Sequence, residues 1–291
     1  MITPIPILAL LFTLTSARDQ IPNYLIFNAS QSVPTNGYDS FQTASQNPNA
    51  THTVNFNYNN VTEAGRNWSW TLEISDVPMP NATYYNNTSR QNVTLPNAHV
   101  ALTTYDLSWP EGETLDDAAD ARSCLYMIYG RFQPNVLDLY DSSSSSCDTV
   151  LGEECLGAIR DAMRPGRSCE TSNFPRLNSL PASCGNSLGQ TTGGMAVNAY
   201  PFGEGGEVSF QNGSSYAWVL SPPYSAGNDT AFEFEESQLH MVAITTGSDV
   251  QLLCNRISAQ SSSGESGAMQ RKAERLALLL SSIAILYSIL A

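Results

Sequence analysis

The stretch Asn67–Ile74 (NWSWTLEI) constrains the fold of this chain more than any other segment. Apolar and polar side chains alternate along it, which is typical of a β-strand with one buried face and one solvated face. Trp68 and Trp70 share the apolar face, whereas Asn67 and Glu73 share the polar face. Two tryptophans on one strand would also suit a sugar-binding platform. We favour packing in a core, because large aromatic side chains dominate protein cores.

Further strands are predicted where the same alternation recurs or where short apolar runs lie between turn residues. Asn212-Gly213 predicts a tight hairpin turn. Two segments have helical periodicity: Thr114–Arg122, which begins with a capping pattern, and Asp148–Met163, with Asp148 as its cap. We therefore expect a mostly β fold, an antiparallel sandwich-like arrangement with one short helical, disulfide-stapled insertion. The other predicted strands are Thr53–Asn59, Val100–Leu107, Cys124–Gly130, Glu207–Gln211, Ser214–Leu220, Phe232–Glu235, Leu239–Thr245 and Asp249–Arg256.

The chain contains six cysteines, and all of them lie in its second part. An even number of cysteines in a secreted chain predicts disulfides, here three, whose pairing the sequence leaves open. We expect Cys254 to tie the last strand to an earlier element, and Cys184 to hold the long loop 170–195. No Cys-x-x-Cys spacing supports a zinc or redox site, so we expect no metal and no cofactor. The cysteines are Cys124, Cys147, Cys155, Cys169, Cys184 and Cys254.

Both terminal segments are apolar. Met1–Leu14 has no charged side chain and is followed by small residues, so residues 1–17 are predicted to be a signal peptide. Leu276–Ala291 is also uncharged, and a polar spacer and a run of small residues precede it. This layout predicts a glycosylphosphatidylinositol (GPI) attachment signal, with the lipid on Ser262 or Ser266. A single membrane span is the alternative, but it would need about 20 apolar residues.

Asn-x-Ser/Thr triplets, the acceptor pattern for N-linked glycans, are concentrated in the first part of the chain. Four of them begin within Asn81–Thr94. Because Pro78, Pro80 and Pro96 flank this cluster, we expect residues 78–98 to form an exposed, glycosylated loop. The predicted acceptors are Asn28, Asn49, Asn60, Asn67, Asn81, Asn86, Asn87, Asn92, Asn212 and Asn228.

The charge of the chain restricts its partners. Between Arg18 and Ser266 ten arginines and no lysine face 26 acidic residues, which gives a net charge of −16. Such a surface repels nucleic acid, whose binding depends on Lys and Arg at the phosphates. It also disfavours anionic lipid headgroups. The partners that we expect are therefore the membrane, reached through a lipid anchor, and a cell-wall polysaccharide.

One serine lies in a hydrolase-like motif. Gly185–Gly189 (GNSLG) matches Gly-x-Ser-x-Gly around Ser187, and Asp229 and His240 follow in the order of a catalytic triad. The flanking residues lack the strand–turn–helix context that this motif requires, so we favour a disulfide-held loop. His240 shares its predicted strand face with Val242, which favours a buried core position for the ring.

Two carboxylate pairs are weak candidates for glycan cleavage, which needs two carboxyl groups roughly 5–10 Å apart. Glu233 and Glu235 would lie on one face of a strand, about 7 Å apart. An ordinary solvated face is the interpretation that we favour for them. Glu204 and Glu207 form the second pair, in a glycine-rich stretch. Enzymatic activity is therefore an open possibility that the sequence disfavours.

The combination of these features resembles the GPI-anchored, Cys-stapled secreted glycoproteins of filamentous fungi. Within it, Cys147–Ile159 (CDTVLGEECLGAI) is similar to a helix of such proteins. The resemblance brings no catalytic residues. Six cysteines are fewer than the eight of the fungal haem-scavenging surface modules, and the Asn-Glu pair of the anchored glucan-remodelling enzymes is not found.

These observations predict five consecutive regions. Residues 1–17 are the signal peptide, residues 18–110 an N-glycosylated β region, and residues 111–256 a Cys-stapled β region. Residues 257–268 are a Ser-rich linker with the anchor site, and residues 269–291 are removed when the anchor is attached. We expect a cell-surface or cell-wall glycoprotein with a structural, adhesive or ligand-binding role. A wall-glycan hydrolase or transglycosylase and a lectin-like glycan-binding module are the alternatives.

Overall fold

The computed structural model describes the central part of the chain. The predicted signal peptide, the anchor site at Ser262 or Ser266, and the apolar tail lie outside the described residues. Residues 207–210 of the predicted strand Glu207–Gln211, the first half of the predicted hairpin, also lie outside the described residues. The described residues are 25–27, 31–32, 37–58, 67–86, 89–119, 123–129, 132–163, 169, 180–188, 196–203, 211–246 and 249–257.

The described residues form thirteen strands and seven short helices, so the predicted mostly β fold is confirmed. The strands are β1 (Leu25–Phe27), β2 (Gln31–Ser32), β3 (Ala50–Asn57), β4 (Asn67–Pro78), β5 (Ala82–Asn86), β6 (Gln91–Leu95), β7 (Ala98–Ser108), β8 (Ser123–Tyr129), β9 (Ala196–Phe202), β10 (Ser214–Leu220), β11 (Tyr224–Ser225), β12 (His240–Thr246) and β13 (Asp249–Asn255). The helices are α1 (Gly37–Ser45), α2 (Leu115–Ala119), α3 (Pro134–Leu137), α4 (Asp148–Leu151), α5 (Glu153–Ala162), α6 (Ala182–Ser187) and α7 (Asp229–Glu236).

Three sheets organise these strands. The large sheet has the order β1-β10-β7-β4-β3, with β11 also paired to β7. All of its pairs are antiparallel except β1 with β10. The second sheet has the order β13-β12-β8-β9, and the small sheet the order β2-β5-β6. Because β10 pairs with β7, the large sheet combines strands from both regions, 18–110 and 111–256.

The main core lies between the large sheet and the second sheet. Trp68 and Trp70 are completely buried there, so the predicted core packing is confirmed and the sugar-binding platform is wrong. Trp68 stacks on Tyr58 with a centroid distance of 4.4 Å, and Trp70 stacks on Tyr105. Both pairs lie on the side of the large sheet, and Trp68 also contacts Phe202 of the second sheet with a centroid distance of 6.2 Å.

Both outer surfaces of this sandwich are partly covered. Helices α4, α5 and α6 pack against the second sheet. Helix α1 and the small sheet pack against part of the large sheet, where Phe41 is completely buried. This outer layer corrects one prediction, since Glu73 is only 3 % exposed on the face that alternation assigned to solvent. Alternation shows that a strand has two unlike faces, but not what packs on the second one.

The three disulfides close within this framework, as predicted. Cys147–Cys254 joins the start of α4 to β13, and Cys155–Cys184 joins α5 to α6. Cys124–Cys169 holds residue 169 against β8. Cys254 thus ties the last strand to an earlier element. The predicted loop 170–195 is wrong in one respect, since Cys184 lies within the helix α6.

The predicted loop 78–98 is instead a β-hairpin formed by β5 and β6. Thr83 and Thr94 face each other across it, with their hydroxyl oxygens 2.8 Å apart. Arg90 has φ +53° near the turn. The prolines flank the hairpin rather than interrupt it, which is compatible with β-structure, and threonine and tyrosine favour strands.

Two helical predictions need adjustment. The helix predicted for Asp148–Met163 divides at Gly152, whose φ of +73° is disfavoured for residues with a side chain. Asp148 is the first helical residue and not the cap, a position that Cys147 occupies. The capping pattern of Thr114 is confirmed, because its hydroxyl oxygen accepts from the backbone N–H of Asp117 at 3.2 Å.

Candidate functional site

The outward-facing residues of β3 and of the first half of β4 form a regular polar surface. Alternate residues of the two strands face outward, and the register pairs Thr53 with Thr71 and Asn57 with Asn67. The Thr53 and Thr71 hydroxyl oxygens are 2.8 Å apart. We call this surface the Thr/Asn face. It consists of Thr51, Thr53, Asn55, Asn57, Asn67, Ser69 and Thr71, of which all but the half-buried Ser69 and Thr71 are exposed.

Five of the predicted glycan acceptors lie at exposed positions. Asn67 lies at the end of the Thr/Asn face, and Asn49 immediately precedes β3. Asn81 and Asn92 belong to the turn and the strand around the β5–β6 hairpin, and Asn228 caps α7. An oligosaccharide needs solvent around it, and these positions provide it. Asn28, Asn60 and Asn87 lie outside the described residues, as does the side chain of Asn86.

Asn212 differs from these acceptors because both atoms of its amide are engaged. Its Oδ1 accepts from the backbone N–H of Trp109 at 3.0 Å, and its Nδ2 donates to the carbonyl of Trp109 at 2.9 Å. The side chain is half-buried. Asn212 thereby joins the start of β10 to the end of β7, a role that the triplet pattern does not reveal.

The predicted carboxylate pair Glu233 and Glu235 does not share a face. These residues lie in α7 and not in a strand, so they point about 200° apart around the helix axis. The oxygen of Asn228 caps the helix by accepting from the Ala231 N–H at 3.2 Å. Phe232 is buried on the inner side and Phe234 is 45 % exposed, as a helical period requires. The second pair, Glu204 and Glu207, lies outside the described residues.

The serine motif does not form a triad with its predicted partners. Ser187 is buried at the end of α6, where its carbonyl accepts from the Gln133 N–H at 2.8 Å. Asp229 lies in the exposed first turn of α7. His240 Nδ1 is instead hydrogen-bonded to the hydroxyl of Tyr105, at 2.6 Å. The structure therefore places residues 185–187 of the motif at the end of α6, and residues 180–181, directly before this helix, form no strand of the kind that a nucleophile elbow requires.

His240 is half-buried rather than fully buried, and its ring has the hydrogen-bond partner that was expected. Burial lowers the pKa of His240 from 6.5 to about 4, so its ring is neutral at pH 7. Burial, followed by the charges of Tyr200 and Glu235, raises the pKa of Tyr105 well above its usual value. Tyr105 therefore keeps its hydroxyl proton and His240 stays uncharged, so the hydrogen bond between them joins two neutral groups. Such a pair holds two sheets together rather than exchanging protons with a substrate.

A second histidine lies in a polar group at the surface. Asp76 Oδ1 accepts from His99 Nδ1 at 2.9 Å and from the hydroxyl of Tyr224 at 2.7 Å. Burial, followed by the bond to Asp76, raises the pKa of Tyr224 well above its usual value. A histidine oriented by a carboxylate is one half of a general-base unit. Among the described residues, no hydroxyl nucleophile hydrogen-bonds to this ring.

A carboxylate pair that the sequence analysis missed lies within the large sheet. Glu73 of β4 and Asp106 of β7 share one face, because Glu73 pairs with Thr104 and Thr71 pairs with Asp106. This diagonal relation brings Cβ atoms within about 7–8 Å. The two residues are only 3 % and 4 % exposed, so a sugar cannot reach them. The Asp106 carboxylate accepts from the Ser215 hydroxyl at 2.6 Å.

No three His, Cys, Asp or Glu side chains within the described ranges are placed to hold a metal ion. In that same part of the chain, no helix has the length and apolar character needed to cross a membrane. Comparison with protein-family models, with curated proteins and with solved structures gave no match.

Proposed function

We propose that this chain is a glycoprotein of the cell surface or cell wall, held on the extracellular side by a GPI anchor, with a structural or ligand-binding role. The observation that carries the proposal is the disulfide framework. All six cysteines pair, and none is free. Disulfides persist in oxidising compartments and are rare in the cytosol, which supports passage through the secretory route.

The exposed acceptor asparagines support the same route. Glycosylation requires entry into the secretory pathway and a solvated acceptor, and Asn67 and Asn92 satisfy the second condition. The apolar segments Met1–Leu14 and Leu276–Ala291 belong to the predicted signal peptide and the predicted GPI attachment signal. The resemblance to surface glycoproteins of filamentous fungi is consistent with a location in the cell wall.

A binding role is favoured over an enzymatic one by the placement of the acidic side chains. Glu233 and Glu235 diverge on α7, and Glu73 and Asp106 are closed to solvent. A glycosidase needs two carboxylates that reach one sugar from opposite sides. The described residues therefore offer a better surface for contact than a centre for hydrolysis.

Treatment of intact cells with phosphatidylinositol-specific phospholipase tests the anchor. We expect the protein to be released into the medium, and its gel mobility to increase after enzymatic removal of N-glycans. A variant that lacks residues 269–291 is the matched control, since it should be secreted without any treatment. Retention in the membrane after phospholipase treatment would contradict the anchor, and a glycan-free protein would contradict the secretory route.

A further inference from the structure

The exposed members of the Thr/Asn face carry no charge, although the chain as a whole has a net charge of −14. We infer that this face binds a neutral, extended polysaccharide. The inference rests on the proposed function for its location outside the cell, and it adds the site and the chemical class of the ligand.

The chemistry of the face matches neutral sugars. Each threonine hydroxyl both donates and accepts hydrogen bonds, and the amides of Asn55 and Asn57, which belong to no acceptor triplet, each offer two donors and an acceptor. Sugar hydroxyl groups have the same dual character. Alternate residues of one strand lie about 6.6–6.8 Å apart, and adjacent strands about 4.8 Å apart, so the polar groups form two parallel rows. A linear polymer can follow such rows.

The absence of charge and of large apolar groups on this face excludes other occupants. Nucleic acid needs Lys and Arg at its phosphates. A protein partner favours aromatic, Met and Arg anchors in the centre of its interface. The exposed large apolar side chains of the described residues are Leu139 and Phe234, which lie in other parts of the fold. A neutral ligand rich in hydroxyl groups is therefore the class that the face fits.

The face is rigid because an aromatic core lies directly behind it. Val54 and Phe56 alternate with the outward residues of β3, and Trp68 and Trp70 alternate with those of β4. All four side chains are buried. A surface whose backbone is fixed before binding loses little conformational freedom on binding, which favours affinity.

The mode of binding follows from the side chains that are present. Each hydrogen bond to a sugar replaces one to water, so the net gain per contact is small. No aromatic ring on the face stacks on the sugar. A single sugar unit should therefore bind weakly, whereas a polymer that contacts several Thr and Asn pairs together should bind with useful avidity.

The test measures sedimentation of the purified, secreted full chain with insoluble neutral glucan and with chitin. The variant is Thr53→Ala/Asn55→Ala/Asn57→Ala, in which no altered residue belongs to an acceptor triplet. Thr51 and Ser69 are left unchanged because they complete the triplets of Asn49 and Asn67. We expect the association constant for at least one of the two polymers to fall at least tenfold.

The matched control replaces three other exposed polar residues outside the triplets, Gln91→Ala/Thr149→Ala/Gln211→Ala, and should bind as the unaltered chain does. If the triple variant of the face fails to fold, Asn55→Asp tests the same surface with an isosteric change. This variant should bind several-fold more weakly, because one amide donor becomes a charged acceptor.

Three results would overturn the inference. The first is that the unaltered chain fails to sediment with either polymer. The second is that the variants of the face bind as tightly as the control. The third is that binding is observed only after N-glycans are removed. In the last case the chain's own glycan would be the occupant. Each of these results is distinct from a failure of the proposed function, since release by phospholipase and the presence of glycans are measured independently.

Discussion

Some asparagine side chains in this protein make structural hydrogen bonds that are incompatible with N-glycosylation of the same amide. Asn212 is the clearest case, because its amide holds the backbone of Trp109 through both the N–H and the carbonyl. Both bonds use the same edge of the amide. A sugar on Nδ2 would take the position of the hydrogen that the Trp109 carbonyl accepts, since substituted amides adopt the trans form.

We therefore expect Asn212 to be free of glycan, while Asn67 and Asn92 carry it. Mass spectrometry of proteolytic glycopeptides from secreted protein checks this directly. Replacement Asn212→Ala should lower the free energy of unfolding by about 1–2 kcal/mol, because two backbone groups lose their partner. Asn92→Ala, at an exposed strand position, is the control and should change the stability of deglycosylated protein by less than about 0.5 kcal/mol. A glycan on Asn212 would contradict the prediction.

His240 makes the stability of the fold depend on pH. Its pKa is lowered from 6.5 to about 4 in the folded protein because the ring is buried. The neutral ring contributes fully above pH 6.5, and the contribution is lost as the pH falls from 6.5 towards 4. The loss is at most about 3.5 kcal/mol, since the pKa falls by about 2.5 and each pKa unit corresponds to about 1.4 kcal/mol.

The measurement compares urea unfolding at pH 7 and pH 4.5 for the unaltered chain and for His240→Asn. The Asn oxygen can accept from Tyr105 but does not titrate. Carboxylates also titrate in this window, so the informative quantity is the difference between the two proteins. We expect a shallower loss of stability in the variant, and equal losses would show that His240 does not contribute.

Strands and helices differ in how well local pattern defines them. The apolar face of β4 was predictable because Trp68 and Trp70 alternate with polar residues over a long strand. α7 was not, since its Phe and Glu residues also alternate with a period of two. The helix is favoured by the capping oxygen of Asn228 and by Ala and Glu residues, which have high helix propensity. Short segments often satisfy both periods.

Contacts between distant elements were the least predictable. The polar group of Asp76, His99 and Tyr224 unites three strands, and nothing near any one of these residues in the sequence points to the others. The pairing of the cysteines could not be predicted for the same reason. An even set of cysteines predicts that bridges form, whereas the partners depend on which strands and helices become neighbours.

The three disulfides should differ in their reactivity. Cys169 is half-buried, whereas Cys147, Cys155 and Cys254 are completely buried. Because thiol–disulfide exchange requires access of the attacking thiolate, Cys124–Cys169 should be reduced first by a low concentration of dithiothreitol. Alkylation of the native protein followed by mass spectrometry reads out the order.

We expect the label on Cys124 and Cys169 at reductant concentrations that leave the other cysteines unlabelled. The same titration in urea is the control, since all six cysteines should then react together. Earlier labelling of Cys147 or Cys155 in the folded protein would show that local opening, and not static exposure, governs reduction.

The two sheets of the sandwich are joined by an apolar core and by several polar contacts, of which the contact at Asn255 has the most hydrogen bonds within the described part of the chain. Asn255 of β13 is completely buried, and its Nδ2 donates to the carbonyls of His52 and Trp70 at 3.2 and 3.1 Å. Its Oδ1 therefore faces His52 Nδ1, 2.5 Å away, which must be the protonated nitrogen. This arrangement fixes the register of the second sheet over β3 and β4.

Asn255→Ala should lower the free energy of unfolding by about 3 kcal/mol or more, because three buried polar groups lose their partner at once. Urea unfolding measures the loss, with the exposed Asn135→Ala as the control. His52→Leu together with Asn255→Leu should recover part of it, since the histidine ring then no longer needs a partner. A loss below about 1 kcal/mol would mean that aromatic packing alone positions the sheets. In that case the geometry of the Thr/Asn face would depend on Trp68 and Trp70 alone, and not on the polar connection behind it.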